Sequence, residues 1–322
     1  MPFVPNYTHT PGHHCGSTAL RNLLSFHGVE ISEEMAFGLG AGACFYYVTI
    51  EEASPTRWFN GRTARLEESF DELTGAALQL RTFEPGDNGA WAAARAEVDA
   101  GNPVLLLTDL YYLDHYGSSA HFPGHAVVLA GYDDELAHLS DTGFEDLQIT
   151  GLENLDRARH SNHPAYPLAG HMFTVTGEVS PERLRDAIPA AIERAAKAMV
   201  EPEFRDFSGL DAVRRLAAEA GSWPEVAEDW QWCARFGYQV IERRGTGGGA
   251  FRLMYSRFLE EAGRPEAPLA AEAAGAWTDL AGRFHAASEH EEPDPALWRQ
   301  IDTAANRVAE AEERLWTSLA NP

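Results

Sequence analysis

Residues 125–141 read HAVVLAGYDDELAHLSD and contain two apolar runs joined by a short polar segment. The first run, at 126–130, is continuously apolar, as in a buried strand, and the second, at 136–139, is also strand-like. Two such runs so close in the chain pair most simply as an antiparallel hairpin. The stretch therefore predicts an antiparallel sheet with His125 at the start of one strand and Asp141 at the end of the next.

The rest of the chain divides into two parts. Further strands are predicted at 45–48, 78–83, 104–107 and 173–175. After about residue 180 the apolar residues follow helical spacing almost throughout, starting at Pro181, which suits the first position of a helix. We therefore expect an α+β fold, with a catalytic domain containing an antiparallel sheet over residues 1–178 and an all-α domain over residues 179–322.

The charge balance excludes several classes of function. The 322 residues include 49 acidic and 25 basic side chains, which gives a formal net charge of −24 at pH 7. Such a chain has no general attraction for phosphate backbones or anionic lipids, so we expect neither nucleic-acid nor membrane binding. Residues 1–12 lack the basic and apolar regions of a signal peptide, and no run approaches the roughly 18 apolar residues of a membrane span. We expect a soluble cytoplasmic protein.

The cysteine pattern bears on metals and disulfides. Cys15, Cys44 and Cys233 form no CxxC pair, and their odd number argues against a disulfide framework. The histidines are scattered without the spacing of a metal-binding motif. We expect the three cysteines to be free thiols, and we expect no metal site and no bound cofactor.

Cys15 is the cysteine best placed for chemistry. A helix is predicted to begin there, because apolar residues follow at helical spacing until Gly28. A thiol on the first turn lies beside exposed N–H groups and the positive end of the helix dipole, and both favour the thiolate. The alternative is that Cys15 is a small buried apolar side chain.

A nucleophilic cysteine needs a general base, which is usually a histidine held by a third group. His125 lies at the mouth of a predicted strand, and the hairpin brings Asp141 alongside it. The order cysteine, histidine, aspartate, with the last two on a hairpin, is that of papain-like cysteine enzymes. The sequence thus predicts a triad of Cys15, His125 and Asp141, the alternative being a core histidine and a turn aspartate.

Several stretches resemble a known family. The segment HCGSTALRNLL at 14–24, followed by GLGAG at 38–42 and FY at 45–46, resembles the amino-terminal domain of the butirosin biosynthesis protein H family. The segment IERRGTGGGAFR at 241–252, with Tyr255 and FLEE at 258–261, resembles the helical domain usually found behind it. The resemblance therefore covers most of the chain.

The resemblance implies both a fold and an activity. The fold of that family is related to papain-like cysteine peptidases, and its activity is the transfer of an aminoacyl group from an acyl carrier protein onto an aminoglycoside amine. By this resemblance Cys15 is the nucleophile, His125 the base and Asp141 the orienting carboxylate.

The oxyanion hole departs from the related pattern. Bacteriocin-processing peptidase domains carry a glutamine six residues before the cysteine, and His9 stands at that position in this chain. The backbone N–H of Cys15 is then the first candidate for an oxyanion donor. Gly16 and the side chains of His9 and His14 are the further candidates at this site.

A glycine-rich segment, GTGGG at 245–249, precedes a predicted helix. Backbone N–H groups in such a place bind phosphate, here that of a phosphopantetheine arm, although the segment has no P-loop lysine for a nucleotide. The alternative is a tight connection between helices whose arginines pair with nearby acids. The predicted donor-binding residues are Arg243, Arg244, Gly247, Gly248 and Arg252.

Together these features predict an amide-forming acyltransferase of antibiotic or other natural-product biosynthesis. It would transfer an acyl or aminoacyl group from a carrier-protein thioester to a small-molecule amine through an acyl-enzyme at Cys15. Because a net charge of −24 repels an acidic carrier protein, we expect docking at the arginine cluster of 243, 244 and 252. The alternatives are a cysteine peptidase or amidase with the same triad, and a non-catalytic carrier-binding module.

Overall fold

The computed structural model describes residues 2–84, 89–164 and 166–321 of the chain. It divides into two compact units, which are Met1–Ala36 with Leu66–Ala187 and Phe37–Arg65 with Ile188–Pro322. The predicted domains, residues 1–178 and 179–322, differ from these two units mainly in the placement of one segment. Phe37–Arg65, expected in the first domain, belongs to the second unit.

The elements of the described residues follow in chain order. The strands are β1 Ala43–Thr49, β2 Arg57–Arg62, β3 Leu78–Arg81, β4 Val104–Asp109, β5 Pro123–Tyr132, β6 Leu136–Ser140, β7 Gln148–Gly151 and β8 Met172–Val175. The helices are α1 Cys15–Phe26, α2 Glu33–Leu39, α3 Leu66–Thr74, α4 Gly89–Asp99, α5 Leu152–Arg159, α6 Pro181–Val200, α7 Gly209–Ala220, α8 Trp223–Val226, α9 Trp230–Glu242, α10 Arg252–Glu261, α11 Ala267–Ser288 and α12 Pro295–Ala320.

The first unit is built on a six-stranded sheet in the order β3-β8-β4-β5-β6-β7, in which every neighbouring pair is antiparallel. The central strands β4 and β5 consist almost entirely of buried residues, as their continuous apolar sequence predicts. This sheet and the helices behind it confirm the predicted α+β class with a helical second part.

The pairing of β5 with β6 sets the position of Asp141. Val128 lies opposite Ser140, so the chain beyond Ser140 continues back along β5 towards its first residues. His125 lies near the start of β5, where it pairs with Thr108 of β4. The hairpin predicted from residues 125–141 therefore places the carboxylate beside the histidine.

The core of the first unit lies against the central strands. Leu106 of β4 and Val127 of β5 are fully buried in a cluster with Ala94 of α4 and Leu155 of α5. Burying one side chain of this size stabilises the fold by about 1.5–3 kcal/mol. The two strands that position the candidate site are thus held by a packed apolar interior.

The second unit contains the β1–β2 hairpin in addition to its helices. Phe45 of β1 and Phe59 of β2 pack on Trp277 of α11, with ring centroids 5.3 and 6.2 Å from the indole. All three side chains are almost completely buried. This aromatic core joins the hairpin to the helices of the unit. Within residues 179–322, the part of the chain predicted to be all-α, the described elements are all helices.

In the described part of the chain, none of the helices combines the length and the apolar character needed to cross a membrane.

Candidate active site

Cys15 is the first residue of α1 and is 9% exposed. The helix is capped by His14, whose Nδ1 accepts a hydrogen bond from the backbone N–H of Ser17 at 3.3 Å. Histidine is an unusual cap, and here its ring does what a serine or aspartate side chain does elsewhere. The predicted position of the thiol on a first helical turn is the one observed.

The chain that leads into α1 is fixed by Glu33, at the start of α2. Its carboxylate accepts hydrogen bonds from the backbone N–H groups of His13, at 3.0 Å, and His14, at 2.7 Å. Gly12 permits this approach, since a Cβ there would lie 2.6 Å from an oxygen of Glu33. Sequence reasoning missed Glu33, because no pattern links an acidic residue in one helix to the cap of another.

The backbone N–H groups of Cys15 and Gly16 begin α1, where a helix offers its N–H groups no internal acceptor. Gly16 is packed closely, and a Cβ at this position would lie 2.5 Å from Oε1 of Glu67. Both N–H groups thus lie on the first turn of α1, where the sequence predicted them.

The side chain of His9 does not suit the oxyanion role considered for it. Its Nδ1 lies 2.7 Å from Oγ of Ser140, and its Nε2 lies 2.8 Å from the carbonyl oxygen of Phe144. Both ring nitrogens are thus engaged on either side of Asp141. The role of His9 in the structure is to brace this turn. His14 is likewise engaged, as the helix cap.

His125 links the thiol to the carboxylate. Its Nε2 lies 2.9 Å from Oδ1 of Asp141, and its side chain also hydrogen-bonds Cys15. Since Nε2 faces the carboxylate, Nδ1 is the ring nitrogen left for the thiol. The structure therefore brings together the three residues of the predicted triad.

The electrostatics of this pair are strongly coupled. Burial alone lowers the pKa of His125, but the Asp141 carboxylate and the hydrogen bonds to Asp141 and Cys15 outweigh it and raise the pKa to about 10. Burial also opposes ionisation of Asp141, yet His125 and His115 hold the pKa of its carboxyl well below the usual range. At neutral pH the site therefore contains an imidazolium and a carboxylate.

Two residues of the β4–β5 loop complete the surroundings of Asp141. Nε2 of His115 lies 2.8 Å from Oδ2, and the hydroxyl of Tyr116 donates to Oδ1 at 3.2 Å. The Tyr116 ring also meets the His125 ring edge to face, with centroids 5.5 Å apart. The only sequence signal for this pair is that residues 111–124 are rich in tyrosine and histidine, which allows a pocket but identifies no partner.

The same loop makes a second histidine–aspartate contact. His121 Nδ1 lies 2.6 Å from Oδ2 of Asp109, a fully buried residue that also accepts a hydrogen bond from Ser161. The His121 ring stacks on Tyr111 at 4.0 Å. This contact ties the loop to the end of β4. The hydrogen bonds described for it do not include Cys15 or Asp141.

The glycine-rich segment is a tight connection between α9 and α10. Two of its N–H groups already have acceptors within the protein, since Gly249 donates to Glu242 at 3.2 Å and Gly248 to Oγ1 of Thr246 at 3.1 Å. Both glycines, like Gly247, have positive φ angles that favour glycine. The N–H group of Gly248, one of the two glycines predicted to bind the donor phosphate, is thus already engaged by Thr246.

Arg252 is not at the surface, although the sequence predicted it there as a donor-binding residue. It is completely buried and forms an ion pair with Glu312, at 2.8 and 3.0 Å. Its guanidinium also donates to the carbonyl oxygen of Gly61. Arg252 therefore cannot present its charge to a carrier protein, and its function in the structure is to join β2, α10 and α12.

Arg243 and Arg244 remain at the surface. The Arg244 guanidinium lies 5.0 Å from the centre of the Phe236 ring and donates to Oε1 of Gln239 at 2.7 Å. Of the predicted arginine cluster, these two are still accessible to a partner.

Among the described residues, no group of three or more histidine, cysteine, aspartate or glutamate side chains is arranged to hold a metal ion.

Comparison with known families covers most of the chain. Residues 14–142 match the family described as Butirosin biosynthesis protein H, N-terminal, a range that contains Cys15, His125 and Asp141. Residues 153–319 match the Domain of unknown function (DUF4872). No curated protein sequence matches the chain. The two matches follow each other in the order that the sequence resemblance implied. The chain thus has the butirosin biosynthesis protein H-like arrangement of domains, and it belongs to the family of the second domain, whose match spans more than half of its length.

Proposed function

We propose that this protein is a cysteine-dependent acyltransferase that forms an amide in natural-product biosynthesis. The observation that carries the proposal is the hydrogen-bonded series from Cys15 through His125 to the buried Asp141. A thiol at a helix N-terminus beside an imidazolium has the two features that favour a reactive thiolate. The carboxylate supplies the third group, which orients the base.

The first step is acylation of the enzyme. The Cys15 thiolate attacks the carbonyl carbon of an acyl thioester, and the oxyanion that forms is stabilised by the N–H groups of Cys15 and Gly16. Collapse of this intermediate breaks the bond to the donor sulfur. The His125 imidazolium gives its proton to the departing thiolate, so that a free thiol, an acyl-enzyme and a neutral imidazole remain.

The second step is transfer to an amine. The neutral imidazole of His125 accepts a proton from the amine as its nitrogen attacks the acyl-enzyme, and a second tetrahedral intermediate forms. Its collapse releases the amide and returns the Cys15 thiolate beside the His125 imidazolium. Asp141 keeps the imidazole in one orientation through both steps, because it holds Nε2.

The family relationship supports a biosynthetic substrate in preference to a protein substrate. A phosphopantetheine-linked acyl carrier protein is the proposed donor, and a small-molecule amine is the proposed acceptor. Arg243 and Arg244 are the proposed docking residues for the carrier, since both are exposed on an otherwise acidic chain.

The test is the fate of the acyl group when the protein is given a pantetheine thioester and an alkylamine. We expect amide in excess over free acid with the wild type, and neither product above background with Cys15→Ala. Cys44→Ala is the matched control, because burial raises the pKa of that thiol to about 12 and removes it from consideration as a nucleophile. Free acid as the dominant product would assign the site to a hydrolase, and full activity in Cys15→Ala would overturn the triad.

A further inference from the structure

The Asp141 carboxylate is shared by two histidines, only one of which belongs to the triad. Nε2 of His125 lies 2.9 Å from Oδ1, and Nε2 of His115 lies 2.8 Å from Oδ2. An ionised carboxylate only accepts hydrogen bonds, so each histidine must carry its proton on Nε2. Asp141 thus fixes the tautomer that each ring adopts when it is neutral.

The two oxygens of Asp141 differ in their support. Oδ1 accepts from His125, from the Tyr116 hydroxyl at 3.2 Å and from the Thr142 backbone N–H at 2.7 Å. For Oδ2 the described contact is that with His115. Without His115, a buried carboxylate oxygen would lose its donor, and the group could turn about its Cβ–Cγ bond away from His125.

The position of His115 has a cost to the fold. Its side chain is 5% exposed, and its Nδ1 has no hydrogen-bond partner among the described residues. A buried polar atom without a partner destabilises a protein, and a histidine retained only for packing is usually satisfied at both nitrogens. The ring contacts of His115 with Tyr116 and Phe144, at 4.8 and 5.2 Å, would be available to a phenylalanine without this cost.

We propose that His115 is a positioning residue, which holds Asp141 in the orientation that lets His125 form the ion pair with Cys15. This role rests on the proposed function, since it concerns the same triad. The titratable groups around the carboxylate are His125 on β5, His115 and Tyr116 on the β4–β5 loop, and Cys15 on α1, which reaches it through His125. His9 hydrogen-bonds Ser140, the residue that precedes Asp141 in the chain.

The direct consequence is a change in the pH dependence of the Cys15 thiol. Losing the His115 donor makes the charged form of Asp141 less favourable and loosens its hold on His125. The thiolate–imidazolium pair then forms less readily, so the Cys15 thiolate becomes protonated at a higher pH than in the wild type. The acid limb of Cys15 reactivity should therefore move to higher pH.

Three substitutions separate this role from packing. His115→Phe keeps the ring contacts and removes the donor, and His115→Gln places an amide N–H near the position of Nε2. His115→Asn places its amide nearer to Nδ1, out of reach of Oδ2, and so gives a second variant without the donor should the phenylalanine variant not fold. The matched control is His121→Phe, which removes a histidine–aspartate contact of the same loop at Asp109.

The measurement is the rate of Cys15 alkylation by iodoacetamide as a function of pH, read by peptide mass spectrometry. This readout needs no acyl donor. We expect the acid limb to move up by about one pH unit in His115→Phe and His115→Asn, which is about tenfold slower alkylation at a fixed pH on the limb. His115→Gln and His121→Phe should follow the wild type.

An unchanged limb in both His115→Phe and His115→Asn would overturn the proposal, as would an equal shift in His121→Phe, which would indicate a general effect on the loop. If the His115 effect on alkylation is present but the protein forms no amide, the proposed reaction is contradicted and the positioning role stands.

Discussion

His125 Nε2 lies 2.9 Å from Oδ1 of Asp141, and the carboxylate is fully buried. A buried charge at this distance acts with little screening by water, which is why the pKa of His125 is raised although burial alone lowers it. The hydrogen bond of His125 to Cys15 carries this effect to the thiol. The contact between the histidine and the aspartate is thus the source of the reactivity proposed for the cysteine.

Removing the charge of Asp141 tests this source. Asp141→Asn keeps the size of the side chain but removes the negative charge that favours the imidazolium. We expect the rate of Cys15 acylation by a pantetheine thioester to fall by about 10⁴-fold, the scale known for the same change in serine protease triads.

The control for that variant is Asp109→Asn, the other buried aspartate that contacts a histidine of the β4–β5 loop. Its acylation rate per folded molecule should stay close to that of the wild type. Equal losses in the two variants would attribute the effect to the loop and not to the triad.

The His125–Asp141 pair should also affect stability as a function of pH. The pKa of His125 is raised from 6.5 to about 10, so its contribution to stability is complete below about pH 6.5 and is lost as the pH rises through about 10. We therefore expect the difference in free energy of unfolding between wild type and Asp141→Asn, measured in urea, to shrink between pH 6.5 and 10. A difference that stays constant over this interval would contradict the assigned ion pair.

The docking role of Arg243 and Arg244 predicts a defect that depends on the donor. The double variant Arg243→Glu/Arg244→Glu should slow transfer from a carrier-linked donor, more so at low salt, and leave transfer from a free pantetheine thioester unchanged. Arg299→Glu/Arg307→Glu on α12 is the control, since it changes the net charge equally at other exposed positions. Equal rates for the two double variants with the carrier-linked donor would remove the proposed docking site.

The buried ion pair of the second unit predicts a large loss of stability. Glu312 accepts hydrogen bonds from Arg252 and from the indole N–H groups of Trp277 and Trp316, at 2.7 and 2.6 Å. Glu312→Ala leaves these donors, including a buried guanidinium, without their acceptor. We expect a loss of about 3–5 kcal/mol in urea unfolding.

Glu272 serves as the comparison, because its ion pair with Arg314 is largely exposed. Glu272→Ala should cost at most about 1 kcal/mol. A loss of similar size in both variants would mean that burial of the Arg252 pair is not what stabilises this unit.

The sequence predicted those features that local patterns specify. The apolar runs of β5 and β6 fixed the hairpin, and the helical spacing after Cys15 fixed α1, so the three residues of the triad could be assigned before their contacts were seen. The strands at 78, 104 and 173 follow from the same kind of pattern, although their order in the sheet does not.

The features that were missed depend on contacts between distant parts of the chain. Arg252 was placed at the surface because nothing in its own segment indicates Glu312, sixty residues later, as its partner. His115 and Glu33 lie in segments whose local pattern says nothing of what their side chains meet. Residues 37–65 were placed in the first domain because nothing in that segment indicates that Phe45 packs on Trp277, far along the chain.

The most direct test of the central claim is the intact mass of the protein after brief exposure to an acyl pantetheine thioester, with the modified residue located by peptide mapping. We predict a single added acyl group on Cys15, with none on Cys44 or Cys233, and its disappearance as amide when an alkylamine is added. Two results would contradict the proposal that Cys15 carries the acyl group. One is amide formation by a protein that gains no mass in the absence of the amine, and the other is an acyl group on another residue.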